Sequence, residues 1–333
     1  MSTLPSDVPQ TTPQPGGLVA FVRRHPLFSY FFITFLLSWL GWVPVALSQS
    51  GLGLLPFRFP GSHEANLGVL GGALGPIVSA FLCTALVSGK AGLRQFLRRF
   101  IIWRVGFQWY LFAALAFPIL FMLGDFATVP NALSAFIPSM LPTFLLDFVG
   151  LLIVGIFVSG LFEEPGWRGF ALPRLQERYG PLTGSLILGF LWGLWHLPLF
   201  TVQGYDGAGP GFLGIIIPWI EFTVALIAMS IIITWVFNHT KGSILIAMII
   251  HSSTDAFPIF VLFPASYFSS LESMLTQVAS PILAIILLIV TRGKLGYQGN
   301  VTTPVSQSLP SDSELLDKAG AETPGKKEAK SIE

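Results

Sequence analysis

Charge is what this sequence has least of: 11% of its 333 residues are Asp, Glu, Lys or Arg, against about 25% in an ordinary soluble domain. So thin a charge supply excludes a water-exposed globular surface. The 53% hydrophobic content and mean hydropathy of +0.71 point instead to a bilayer as solvent. Cysteine is nearly missing. Cys83, the single one, excludes an intrachain disulfide and a Cys-based zinc site, and in its apolar run it reads as a small core residue. Alternation of apolar and polar residues is also missing, which excludes a membrane barrel. The net charge of +1 gives no ground for a nucleic-acid partner.

What is present is a series of long continuous apolar runs. In lipid every backbone N–H and C=O must be satisfied within its own segment, so the fold class is all-α, a polytopic transmembrane helical bundle. About eight spans are expected, near 26–48, 65–89, 107–128, 143–172, 182–202, 212–238, 243–264 and 275–291. The run from Pro26 to Leu47 exceeds a signal-peptide core of about 7–15 residues and reads as a retained first span. The membrane domain is 26–292. The flanking 1–25 and 293–333, rich in Pro, Ser, Thr, Gln, Lys and Glu, are expected as disordered cytoplasmic tails. Gly68, Gly71, Gly72 and Gly75 form two small-xxx-small pairs suited to close helix contact. The stretch Gly92 to Arg104 mixes basic and apolar residues at helical spacing and is expected in the interface.

Orientation follows from Lys and Arg. Apart from Arg168, 17 of the 18 such residues flank the spans. With both termini cytoplasmic, all but Arg58 fall inside, as the positive-inside rule requires. A multi-pass protein of the plasma (inner) membrane is expected.

Ionisable groups within spans are costly and mark function. The fourth span contains Glu163-Glu164-Pro165-Gly166-Trp167-Arg168. Glu164 and Arg168 are i,i+4 and can pair, whereas Glu163, rotated about 100° away, is left without a partner in its own helix. A purely structural ion pair locking two helices would not account for the second carboxylate. The fifth span contains Trp192 and His196, a histidine that alone would read as a satisfied core residue. The seventh contains His251 and Asp255, again i,i+4. Helix rise places Glu163 roughly 14 Å, His251 roughly 12 Å and His196 roughly 21 Å from the cytoplasmic ends of their spans, so tilt or a late helix start is needed to bring them level in the cytoplasmic half of the membrane. Asp147 and Glu221 are further acids within spans; His239 and Lys241 read as interfacial.

Glutamate, two histidines and an aspartate suit hydrolysis by activated water: a buried carboxylate as general base, histidine beside it, and a polar pair facing the oxyanion. No Gly-x-Ser-x-Gly elbow supplies a nucleophile, and Ser252 and Ser253 are poorly placed to form a triad with His251. The His-Glu-x-x-His zinc pattern is absent. The expectation is therefore no cofactor, with zinc on His196, His251, Asp255 and Glu163 as the alternative.

The three motifs, Glu163-Glu164-x-x-x-Arg168, Trp192-x-x-x-His196 and His251-x-x-x-Asp255, resemble those of the CPBP (Abi) family. That family includes type II CAAX prenyl endopeptidases, lysostaphin resistance protein A-like proteins and bacteriocin-processing proteins. The resemblance is strongest over about 145–260 and extends to Asn238-His239-Thr240-Lys241-Gly242-Ser243-Ile244. It implies an intramembrane endopeptidase acting on a membrane-associated peptide or protein, in C-terminal or leader processing. Glu163 and His196 would activate water, His251 and Asp255 would form the oxyanion site, and Glu164, Arg168 and Trp192 would support them. Trp192 replaces the commoner Phe. Asp255 stands where the prenyl endopeptidases carry Asn, and an ionised Asp cannot donate to an oxyanion. A non-catalytic scaffold or immunity protein of the same fold is the alternative. A transporter lacks the support of an internal repeat.

Overall fold

The computed structural model describes residues 17–58, 64–128, 132–202, 204–256, 261–263 and 279–299. Its principal helices are α1 (Gly17–Arg24), α2 (Pro26–Leu47), α3 (Glu64–Arg98) and α4 (Phe107–Thr128). There follow a 42-residue helical rod, α5 (Pro138–Tyr179), then α6 (Pro181–His196), α7 (Gly211–His239), α8 (Ile244–Asp255) and α9 (Ala279–Thr291). Six segments among the described residues are long and apolar enough to cross a membrane, and α8 and α9 are shorter apolar helices of 12 and 13 residues. All eight fall where the apolar runs place spans. The remainder of the runs expected over 243–264 and 275–291 lies partly outside the described residues.

Each helix has its apolar surface divided between lipid and neighbours. On α5, Leu145, Leu146, Val149, Ile153, Val154 and Phe157 are exposed, a stripe that hydrocarbon chains can cover. By contrast α8 is enclosed, with Ile244, Ile246, Ala247, Met248, Ile250, His251, Ser252 and Ser253 all buried. A helix surrounded by protein need not span the full hydrocarbon thickness, since its polar ends meet other helices rather than lipid. Small residues let those neighbours approach. On α6, Gly189 lies against the Ile227 backbone of α7, and Gly193 against the Thr223 side chain one turn on. On α3, Gly72 and Gly75 lie against Trp42 and Ser38 of α2, as their spacing implied. The side-chain surroundings of Gly68 and Gly71 lie outside the described residues.

A methyl group on Gly189 would sit 2.5 Å from Ile227 Cα, a backbone atom that cannot swing aside. Gly189→Ala is therefore expected to force α6 and α7 apart and to lower stability by about 1–3 kcal/mol, read as a fall in the melting temperature of the detergent-solubilised protein.

The structure differs from the sequence reading at both tails and at the end of the fourth span. Residues Gly17–Arg24, within the expected N-terminal tail, form α1; Val22 is buried and Arg23 Nε donates to Leu86 O at 2.9 Å. Residues 293–299 fold back on the bundle: Leu295 is buried and its carbonyl accepts from Asn238 Nδ2 at 3.0 Å. Gly89, at φ +58, separates the α3 span from the basic stretch, whose Arg99 Nη1 donates to Gly169 O of α5 at 2.9 Å. The fourth span continues to Tyr179 rather than stopping near 172. Its last turns, Leu172–Tyr179, carry Arg174, Gln176, Glu177 and Arg178, polar residues suited to the interface that an apolar count leaves out.

Candidate active site

The site depends on an interruption in α5. Pro165 has no N–H for the turn above and its ring crowds the carbonyl four residues earlier. The rod accommodates it by widening: Ile156–Gly160 and Pro165–Ala171 are π-helical, with only Leu161–Glu164 α-helical between them. Such wide turns recur at functional sites. Gly160 and Gly166, in these turns, lie against Met248 and Ser252 of α8 and against Tyr30 and Pro76 respectively. Both carboxylates are buried, Glu164 completely and Glu163 with 7% of its surface exposed.

Glu163 and Glu164 point to different neighbours. Glu163 Oε2 accepts from Trp167 Nε1 at 3.1 Å and from Trp192 Nε1 of α6 at 2.7 Å. Glu163 thus has a partner in its own helix after all, a neutral donor four residues on, which a search for opposite charge passes over. Its Oε1 takes no hydrogen bond from a described residue and is not sealed from solvent. Glu164 Oε1 accepts from Arg168 Nη1 and from His251 Nδ1 of α8, both at 2.7 Å. Glu164 and Arg168 are completely buried, and the Arg168 guanidinium lies 4.4 Å from the Trp192 ring centroid. The ion pair expected from i,i+4 spacing is therefore present, and it also holds the histidine of another helix.

His196 is the last residue of α6. Its Nδ1 lies 2.9 Å from Trp192 O; a carbonyl only accepts, so Nδ1 carries the proton and Nε2 is left with a free lone pair. Trp192 is thereby bonded to both Glu163 and His196. The imidazole is enclosed by Trp195, Phe222 and Trp42, with ring centroids at 4.6, 4.9 and 6.2 Å. The His251 ring stands edge-on to Trp192 at 5.1 Å, and its Nε2 lies 3.8 Å from Asp255 Oδ2. Asp255 is 47% exposed, the open side of an otherwise buried group. Trp192 touches Glu163, His196 and His251, and His251 in turn faces Asp255. All four groups named from sequence thus share one neighbourhood.

The depth mismatch between Glu163 and His196 is removed by the true end of α5. Glu163 is 16 residues before Tyr179, and His196 is 15 after Pro181, so across the tight turn at Gly180 (φ +78) the two are level. The α8 helix starts deeper, with Ile244 beside Gly169, and reaches the same level in seven residues. Ser243 fixes that start: its Oγ accepts from Ile246 N at 3.2 Å and donates to Ile102 O at 2.7 Å. The 238–244 stretch is thus an anchor for α8.

Asp147 and Glu221 make no hydrogen bond or ion pair with a described residue. Trp167, Trp42, Trp195 and Phe222 complete the site. Only Trp167, at i+4 from Glu163, was detectable by spacing; the others depend on which helices are neighbours. Among the described residues no group of three or more His, Cys, Asp or Glu is placed to hold a metal ion.

Residues 145–257 match the family model of the type II CAAX prenyl endopeptidase, Rce1-like, group. The chain is 28% identical over 230 residues to CAAX prenyl protease 2 of Methanococcus maripaludis, an alignment covering 67% of this chain and 80% of that relative. All three motifs lie inside the matched region, as the sequence resemblance implied, and the chain is similar there to the Rce1-like type II CAAX prenyl endopeptidases, on a polytopic membrane helical bundle.

Proposed function

We propose that this protein is an intramembrane endopeptidase that hydrolyses a peptide bond near the prenylated C-terminus of a membrane-associated protein, with water as nucleophile. The observation that carries the reading is the state of Glu163. One carboxylate oxygen is fixed by two indole N–H groups and the other takes no hydrogen bond from a described residue; His196, on the same Trp192, has an Nε2 that bonds to no described residue.

In this mechanism Glu163 Oε1 and His196 Nε2 hold one water between them. As the water oxygen bonds to the scissile carbonyl carbon, its proton passes to Glu163. Collapse of the tetrahedral intermediate breaks the C–N bond, and the proton is delivered to the leaving amine. His251 acts as the imidazolium, its Nδ1–H held by Glu164 and its Nε2–H, on the opposite side of the ring, donating to the developing oxyanion. Glu164 and Arg168 act through His251, by fixing its ring. Trp192 sets the orientation of both water-holding groups. Aromatic and aliphatic walls exclude bulk water and strengthen each polar contact.

The basic residues gather at one end of the bundle, where Arg99 and Arg174 bond to the Gly169 and Phe170 carbonyls of α5. This supports a cytoplasmic face at that end and both termini inside, in the plasma (inner) membrane. Glu163 is six residues from Gly169, about 9 Å of rise, within reach of a substrate tail entering from the cytoplasmic leaflet.

The test is cleavage of a farnesylated CAAX peptide by the full-length protein in liposomes, for wild type and His196→Ala, before and after exhaustive chelation. Cleavage that survives chelation and falls about 10²–10⁴-fold in His196→Ala is expected. Loss on chelation with recovery on zinc would move the chemistry to a metal. Equal native-host activity in wild type and His196→Ala would replace the peptidase by a scaffold of the same fold.

A further inference from the structure

Several donors around the site are committed: Trp167 and Trp192 N–H serve Glu163, Arg168 Nη1 and His251 Nδ1 serve Glu164, and His196 Nδ1 serves the Trp192 carbonyl. Arg168 Nε and Nη2, Trp42 Nε1 and Trp195 Nε1 have no described partner but are sealed within the bundle, and His251 Nε2 faces Asp255. Asp255 faces His251 with its carboxyl group, and a carboxyl, unlike an amide, has no N–H to offer an oxyanion. Stabilising a tetrahedral intermediate depends on more than one donor aimed at the oxygen.

The connection between α6 and α7 brings another donor. Gly204, Asp206, Gly207 and Gly211 all have positive φ, between +41 and +82, and fold the segment back on itself. Gly204 N donates to Ala208 O at 2.9 Å, Tyr205 N to Val202 O at 3.1 Å and Ala208 N to Tyr205 O at 2.7 Å. Asp206 at φ +41 is a non-glycine residue held in a left-handed conformation, which costs of order 1–3 kcal/mol and persists where the surroundings enforce it. The result is that the Tyr205 ring is turned inward. It meets Phe200 edge-on at 5.2 Å; Phe200 packs on Phe222 at 5.3 Å, and Phe222 on the His196 ring at 4.9 Å. The Tyr205 hydroxyl bonds to no described residue, yet Glu163 and Asp255 are both near enough for their charges to act on it. Burial first, then Asp206, Glu163 and Asp255, hold the phenol above its ordinary pKa, so it keeps its proton.

We propose that Tyr205 is a further catalytic residue: its hydroxyl donates a hydrogen bond to the carbonyl oxygen of the scissile peptide as that oxygen gains charge, supplying the donor that Asp255 cannot. This rests on the peptidase reading above. The α6–α7 connection is then a part of the site.

The test is steady-state cleavage of the farnesylated peptide by full-length wild type, Tyr205→Phe, Asp255→Asn, the double variant and Glu163→Gln. Phe keeps the ring and its packing and removes only the hydroxyl. In Tyr205→Phe, kcat is expected to fall about 100-fold with KM nearly unchanged. In the Asp255→Asn background, where an amide N–H is available, the same change is expected to cost about tenfold or less. If Tyr205→Phe keeps wild-type kcat, or raises KM alone, while Glu163→Gln is inactive, the role of Tyr205 is overturned and the peptidase reading stands. An equal loss in both backgrounds overturns the complementarity with Asp255, and with it the proposal. If Glu163→Gln cleaves as well as wild type, the peptidase reading falls and takes this role with it.

Discussion

Glu163→Gln is expected to lower kcat for the farnesylated peptide by about 10³-fold while leaving the melting temperature close to that of wild type. The two effects separate because the carboxylate has one structural and one chemical side. Its Oε2 accepts from Trp167 and Trp192, and an amide oxygen can take both bonds in the same place. Its Oε1 is the uncommitted oxygen, and an amide NH₂ put there cannot accept a proton from water. The loss therefore measures base catalysis and not a collapsed site. Glu163→Ala is a poorer probe, because it also leaves two buried indole N–H groups without an acceptor, at about 1–3 kcal/mol each. Retention of full kcat in Glu163→Gln, with turnover shown to belong to this protein, would remove Glu163 from the chemistry.

The second large effect is on stability. Glu164→Leu leaves the Arg168 guanidinium buried without its hydrogen-bonded carboxylate, with the Trp192 face 4.4 Å away. Breaking one partner of a buried pair costs about 3–5 kcal/mol, a large part of the stability of an ordinary domain. Arg168→Met is expected to cost less, because Glu164 keeps its bond to His251 at 2.7 Å. The informative variant is the double change, Glu164→Leu with Arg168→Met. Replacing both charges by apolar groups of similar volume removes the desolvation cost along with the attraction and is often nearly neutral. The double variant should therefore melt well above Glu164→Leu, and thermal denaturation in detergent reads this directly. Activity should stay low in both, because His251 loses the acceptor that fixes its ring. A double variant no more stable than Glu164→Leu would show that the pair contributes through packing rather than charge.

These two acids show what pattern reading can and cannot supply. The pair Glu164 and Arg168 was legible because helix periodicity alone puts i and i+4 on one face. The partner of Glu163 was legible by the same rule but missed, since Trp167 is uncharged and an indole N–H is not read as a counterpart to a carboxylate. The bond from Trp192 was not legible at all: 29 residues separate it from Glu163, and nothing local to either helix specifies their facing. His196 and His251 were found as motif positions, yet their protonation roles depend on a carbonyl and a carboxylate supplied by the fold.

The level of the site shows the same division. Counting apolar residues ended the fourth span near 172 and left Glu163 and His196 at different depths. The polar turns to Tyr179 and the one-residue turn at Gly180 make α5 and α6 a close antiparallel pair, and the depths agree. The short α8 is acceptable because it is enclosed by protein, a fact of assembly that its own 12 residues do not state.

The sequence by itself determined that this chain lives in a bilayer as helices, where its spans lie, and which charged residues are too costly to sit in them without a task. Those are consequences of solvation and helix periodicity, which act residue by residue. The tertiary structure alone decided which carboxylate is locked in an ion pair and which keeps an oxygen free, how the four polar groups come level, and that Tyr205 turns inward from a loop. These depend on which surfaces meet, and a helix carries no record of its neighbours until close packing selects them.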